Sequence, residues 1–212
     1  MSKVYDVSPP ISERTNVWPG DTPVTREVVC DMAKGANITL SALRSTVHLG
    51  SHVDGANHYS HPAPGVEGWE IERFMGPCIL VDAKVARGSR VRVNDVAWPT
   101  GALPPRVLIR TGTFPDFERW NADFAALSPE LIEWLGDRGV ITIGIDTPSV
   151  DVQDSKELPA HKAFAARAMA ILEGVVLKGV PAGEYELIAL PLRLVGFDGS
   201  PVRAVLRTLP SV

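Results

Sequence analysis

A chain of 212 residues, 45% of them apolar, is long enough to bury one sizeable core and has the composition of an ordinary globular protein. Its formal net charge of -4, with acids and bases interspersed and no basic run, argues against nucleic acid or an anionic membrane as partner. No stretch approaches the roughly 20 apolar residues that span a bilayer, and no apolar leader stands at the amino end, so the expectation is a soluble, cytoplasmic protein.

In chain order, residues 4–7 read as a short strand stopped by Ser8-Pro9-Pro10. A turn-rich loop follows at 17–23 and carries Trp18. That side chain either packs back on the body or offers an aromatic wall to a ligand pocket. Residues 26–32 and 38–47 look like two strands, the second leading directly into the most informative stretch of the chain. The cysteines, Cys30 and Cys78, lie far apart without a CxxC pair and are expected as buried free thiols.

Residues 48–58 hold three of the five histidines and an aspartate: His48, His52, Asp54 and His58. All four are separated by even offsets. In an extended chain that puts them on one face, whereas in a helix, at roughly 100° per residue, Asp54 would turn about 200° away from His52. Val47 and Val53 favour a strand, and Gly50 and Gly55 disfavour a helix. The expectation is therefore a strand running into a turn, presenting imidazoles and a carboxylate to one side. That is a usual ligand set for zinc or a similar divalent ion. His61 falls out of phase, in the Pro/Gly-rich loop that follows, and reads as a loop residue. Trp69 and Phe74 read as core.

Beyond this point, 78–82 and 107–110 are apolar runs of strand length, with one helical turn at 93–96. Ser128-Pro129-Glu130 is a helix start, with an N-cap serine, proline at the first position and an acid in the first turn; the helix should end by Gly136 or Gly139. A central strand follows at 140–145, then an alanine-rich helix over about 160–170 with His161 near its start. Strands are expected at 175–177 and 186–190, and Asp198-Gly199 reads as a hairpin-like turn before a last strand at 202–207. Strands outnumber helices, so the fold class is α/β: one mixed domain over residues 1–212 with a largely β centre and few helices.

The pattern His48-x-Gly-Ser-His52-x-Asp54-x-x-x-His58 resembles that of the cyclase-like metal-dependent amide hydrolases, the family of the bacterial kynurenine formamidases (arylformamidases). The resemblance extends through Trp18-Pro-Gly-Asp-Thr-Pro23, Gly144-Ile-Asp-Thr-Pro-Ser-Val150, Asp154-Ser-Lys156, Ala160-His161, Ile171-Leu-Glu173, Leu190-Pro-Leu192 and Gly199-Ser-Pro-Val-Arg203. It implies a swivelling β/β/α-type fold and two divalent metal ions per chain, zinc first and manganese as the alternative. His48, His52 and Asp54 would hold one ion, and Asp54 would bridge to a second held with His161 and Glu173. His58 would be the catalytic acid/base and Trp18 would bind substrate. Where many relatives read Ala-Pro-x, this chain has Gly55-Ala56-Asn57, which removes a fixed φ before His58.

The implied activity is hydrolysis of N-formyl-L-kynurenine to L-kynurenine and formate in tryptophan degradation, a small-molecule aryl formamide being the substrate and a homodimer or larger homo-oligomer the assembly. A water on the metal would be the nucleophile, and a Gly-x-Ser-x-Gly elbow is absent from the sequence. The competing expectations are a relative acting on another aryl or cyclic amide such as isatin, and a non-catalytic metal-binding protein. The second is disfavoured by the lack of a cysteine ligand. Geometry adds one requirement. A continuous helix over 161–173 would separate His161 and Glu173 by about 18 Å, at roughly 1.5 Å per residue. Ions about 3.5–4 Å apart cannot share ligands so placed, so the helix must end and the chain must turn back before Glu173.

Overall fold

The computed structural model describes residues 2–209. Along them run β1 (Val4–Asp6), β2 (Thr25–Cys30), β3 (Leu40–Arg44), β4 (His52–Asp54), β5 (Met75–Asp82), β6 (Arg90–Val91), β7 (Arg106–Arg110), β8 (Ala126–Leu127), α1 (Pro129–Gly136), β9 (Thr142–Ile145), α2 (Pro159–Arg167), β10 (Ala170–Glu173), β11 (Gly183–Ile188), β12 (Gly199–Pro201) and β13 (Val205–Thr208). Nine strands share one sheet in the order β1-β13-β11-β5-β7-β9-β10-β4-β12, while β2 with β3 and β6 with β8 form two small ribbons. The middle strands β5, β7, β9 and β10 are parallel. Those on both flanks are antiparallel, so the sheet is mixed.

The central strands are continuous apolar runs because both faces are covered. Val107 and Ile109 point into one core with Leu131, Ile132 and Leu135 of α1 and Ala160, Ala163 and Phe164 of α2. Leu108, between them in sequence, points into the other core, as the two-residue period requires. That second core joins Val7 and Leu206 from one end of the sheet to Val53 and Leu172 near the other, so the sheet curls over its own face. Helix α1 starts as its sequence signals, with Ser128 Oγ accepting from the Leu131 N–H and Pro129 in the first turn.

Five expectations need correction. The stretch 48–58 is not one strand: only His52–Asp54 forms a strand, Gly50 sits at φ +57, and His58 ends a 3₁₀ turn, Ala56–His58. The expected strand at 38–47 stops at Arg44 and pairs with β2 off the main sheet, so it does not run into the histidines. The helix over 160–170 ends at Arg167, and 170–173 is a buried strand, whereas 175–177 is not; a four-residue apolar run beside alanines is ambiguous by period alone. Asp198-Gly199 forms no hairpin, because β12 pairs with β4 at one edge of the sheet while β13 lies beside β1 at the other. Of the two free cysteines, Cys78 is buried but Cys30 is only half-buried, on the exposed ribbon.

Candidate active site

The turn-back between His161 and Glu173 occurs at Ala168, in the left-handed region at φ 48, where its N–H reaches the Phe164 and Ala165 carbonyls. Strand β10 then runs parallel to β9 and delivers Glu173 at its carboxyl end. On its other side β4 runs antiparallel, with His52 directly opposite Glu173, and β12 beyond it sets Gly199 opposite Asp54. Within β4, His52 and Asp54 share a face by the strand period. His48 arrives through the bend at Gly50, whose carbonyl lies so close to Gly174 that any side chain there would collide with it.

These elements bring five side chains together. His48 Nδ1 is 3.2 Å from Asp54 Oδ1, and His52 Nε2 is 3.6 Å from the same oxygen and 3.1 Å from Glu173 Oε2. His161 Nε2 lies 3.6 Å from Asp54 Oδ2 and 3.9 Å from Glu173 Oε1. Each carboxylate therefore turns one oxygen to His52 and the other to His161, so Glu173 reaches both halves of the cluster as Asp54 does. His52, Asp54, His161 and Glu173 are all buried.

The outward ring nitrogens are taken. His52 Nδ1 donates to the Gly50 carbonyl at 3.0 Å. His161 Nδ1 is 2.8 Å from Asp151 Oδ2, and Asp151 also accepts from the Ala160 and His161 backbone N–H groups and pairs with Arg90 at 2.7 Å. In neutral imidazoles so held, the inward Nε2 carries a lone pair, and that lone pair faces carboxylates, which are themselves acceptors. Asp54 Oδ1, Asp54 Oδ2 and His52 Nε2 are accordingly buried with no hydrogen-bond partner. Acceptors converging on acceptors call for a cation between them, and imidazole with carboxylate suits a divalent ion. The titration behaviour of the protein alone agrees. Burial by itself would hold His48 down, but Asp54, then Asp198, raises it to about 9. Burial is likewise overridden at His161, where Asp151 and Asp54 raise the pKa to about 10. Burial disfavours the Asp54 anion, yet His161 and His48 hold its pKa well below the usual range.

His58 stands outside this set. Its ring packs against His48, with centroids 4.2 Å apart, and its side chain is 35% exposed. Burial lowers its pKa; Asp54 opposes the shift and the neighbouring His48 assists it, so at pH 7 the imidazole is neutral. The imidazoles of residues 48, 52, 58 and 161 and Glu173 line a cavity of about 450 Å³, whose walls include Trp18, Phe114, Phe117 and Trp120. Trp18 meets Trp120 edge-on at 5.5 Å and rests on the buried Phe124 at 6.0 Å, so it serves both wall and core. The cavity opens beyond the carboxyl ends of β7, β9 and β10, where ligands of open α/β sheets bind.

All seven site residues expected from the sequence thus border one cavity or its buried edge, while His61 is exposed and outside it. Phe74 is core as expected, and half-buried Trp69 donates its indole N–H to the Asp54 carbonyl at 2.8 Å. Sequence reading missed Asp151, Asp198, Phe114 and Trp120. Their roles depend on pairing between distant segments, and only Asp198 carried any signal, which was misread as a hairpin turn.

The Cyclase family model matches residues 5–152. This chain belongs to the Cyclase family. Kynurenine formamidases of Bordetella petrii and Bordetella pertussis are 41% and 42% identical to this cyclase-family chain over 209 residues, which is 99% of it and 100% of each of them. A solved structure described as a potential metal-dependent hydrolase with cyclase activity matches at TM-score 0.85 and 26% identity, covering 100% of both chains. With relatives of that name matched end to end, the cyclase-family chain is a hydrolase.

Proposed function

We propose that this protein hydrolyses N-formyl-L-kynurenine to L-kynurenine and formate, as a step of tryptophan degradation. The observation that carries the reading is the match to kynurenine formamidases over 99% of the chain. The cavity supports it, because an aryl formamide needs a flat apolar wall beside a polar reacting centre, and here Trp18 and its aromatic neighbours face the imidazoles and Glu173.

His48, His52 and Asp54 would hold one divalent ion, and Asp54, His161 and Glu173 a second, with zinc ahead of manganese. When bound, such ions supply Lewis acidity at the formyl carbonyl and lower the pKa of water from 15.7 toward about 7. The chain's own groups do the rest. Trp18, on the cavity wall, faces the aryl ring. His58, neutral at pH 7, accepts a proton from water as the water oxygen adds to the formyl carbon. It then gives that proton to the aniline nitrogen as the C–N bond breaks, so kynurenine leaves with the transferred proton. The water oxygen leaves, with its remaining proton, as formic acid that ionises to formate.

The same reading includes a cytoplasmic homodimer or larger homo-oligomer. The β2–β3 ribbon supports a second copy as partner, since a two-stranded ribbon is marginal alone and this one exposes Val29, Leu40 and Leu43. Light scattering should give the mass of at least a dimer for the native chain and a lower mass for Leu43→Arg.

The substrate is tested by comparing kcat/KM for formate release from N-formylkynurenine with kcat/KM for ring opening of isatin. A large preference for the formamide is expected. A large preference for the cyclic amide would overturn the substrate while leaving amide hydrolysis in place.

A further inference from the structure

His48 differs from the other two imidazoles of the cluster in which nitrogen it turns inward. His52 and His161 direct Nε2 to the carboxylates, whereas His48 directs Nδ1, at 3.2 Å from Asp54 Oδ1. Its outward nitrogen is Nε2, and 3.0 Å from it is Asp198 Oδ2. The same oxygen is 3.6 Å from His58 Nδ1, too long for a direct hydrogen bond but the nearest carboxylate contact recorded for that ring. The two rings lie against each other at a tilt of 39°. One carboxylate oxygen therefore sits at the outer edge of a cluster imidazole and beside the acid/base.

We propose that Asp198 is a positioning residue that fixes His48 as an Nδ1 ligand and steadies His58 against it. The inference rests on the reading of the cluster as a divalent-metal site. A neutral imidazole has one N–H and one lone pair, and Nδ1 can offer its lone pair inward only if Nε2 carries the proton. Ionised Asp198 is an acceptor without a donor, so it selects that tautomer. The backbone builds this contact in. The Asp198 carbonyl accepts from the Gly55 N–H at 2.8 Å, tying it to the end of β4. The next residue is Gly199, where a Cβ would lie 3.0 Å from His48 Cε1 and 3.1 Å from the Val53 carbonyl. Asp198 supplies the acceptor and Gly199 leaves room for the ring. Carboxylates that hold the outer nitrogen of a ligand imidazole typically change metal affinity by about 10–100-fold when removed.

The test uses metal-free full-length protein titrated with zinc or manganese against a competing chelating indicator, for native, Asp198→Ala and Asp198→Asn chains. In Asp198→Ala, binding of one equivalent should weaken about 10–100-fold and that of the other should change little, because only His48 loses its outer partner. Asn keeps an acceptor oxygen, so Asp198→Asn should recover most of the loss. In the metal-saturated enzyme, Asp198→Ala should lower kcat with KM held, through His58. Asp198 is 50% exposed, so the native melting temperature should be retained. Unchanged binding in Asp198→Ala, or equal weakening of both equivalents together with a lower melting temperature, would overturn the assignment. A native chain that binds no divalent ion would overturn it along with the metal reading, whereas binding without hydrolysis of the formamide would remove only the substrate.

Discussion

The two histidines that flank Asp54 are held in opposite ways. At one end, His161 and Asp151 are 4% and 1% exposed, and Asp151 is fastened by two backbone N–H groups and Arg90. At the other, His48 and Asp198 are 15% and 50% exposed, with His58 beside them on the cavity. The first end is a closed structural clamp in which every outer group is satisfied within the fold. The second is open to the cavity, as the proposed reading requires of the end that meets substrate and passes a proton. Under the proposed function, burial would thus separate the task of holding a cation from the task of moving a proton, within one cluster of residues.

Substitutions at the two ends should behave differently. The largest effect belongs to the open end: His58→Ala should lower kcat by about 10²–10⁴-fold, while metal titration gives the same binding as the native chain. At the closed end, Asp151→Ala should weaken metal binding by about 10–100-fold. Unlike a change at Asp198, it should also cost about 3 kcal/mol in denaturant unfolding, because it strands buried His161 and three-quarters-buried Arg90. Equal stability of Asp151→Ala and native protein would erase the contrast. Trp18→Ala, on the wall and away from the reacting centre, should raise KM by about 2–10-fold with kcat retained, the range expected for one aromatic contact.

The smallest effect is one of pH. In the metal-free fold His48 and His161 have pKa values raised to about 9 and about 10, against 6.5 for the unperturbed group. A raised pKa means that the bound proton favours the folded state. That contribution is complete below pH 6.5 and is lost as pH rises through about 9 and then about 10. The melting temperature of metal-free protein should therefore fall over that window. Metal-loaded protein, in which cations replace those protons, should be nearly insensitive across it.

That these side chains gather in one place was largely legible in the sequence, though for a reason only partly right. The even spacing of His48, His52, Asp54 and His58 suggested one strand face, yet only His52 and Asp54 share one. His48 reaches the cluster through the left-handed Gly50 and His58 through a 3₁₀ turn, conformations that residue spacing does not encode. Glu173 was placed by the family pattern and by the reach of a helix, and the turn at Ala168 meets that constraint with a non-glycine residue in the left-handed region. The strand it sits on escaped notice because Ala170-Ile-Leu-Glu173 adjoins an alanine-rich helix. Asp151 and Asp198 could not be read as outer partners, since each acts across strand pairings or loops that bring distant segments together. The central strands were easy, being apolar on both faces, while the edge strand β12 contains glycine and proline and gives no periodic signal.

The most direct measurement is hydrolysis of N-formylkynurenine by protein stripped with a chelator, followed as zinc or manganese is returned. The expected result is no turnover in the stripped chain, recovery that saturates at about two equivalents per chain, the number a two-metal site requires, and no recovery in Asp54→Ala. Full-rate hydrolysis by the stripped protein would contradict a metal-dependent site built on Asp54 and Glu173.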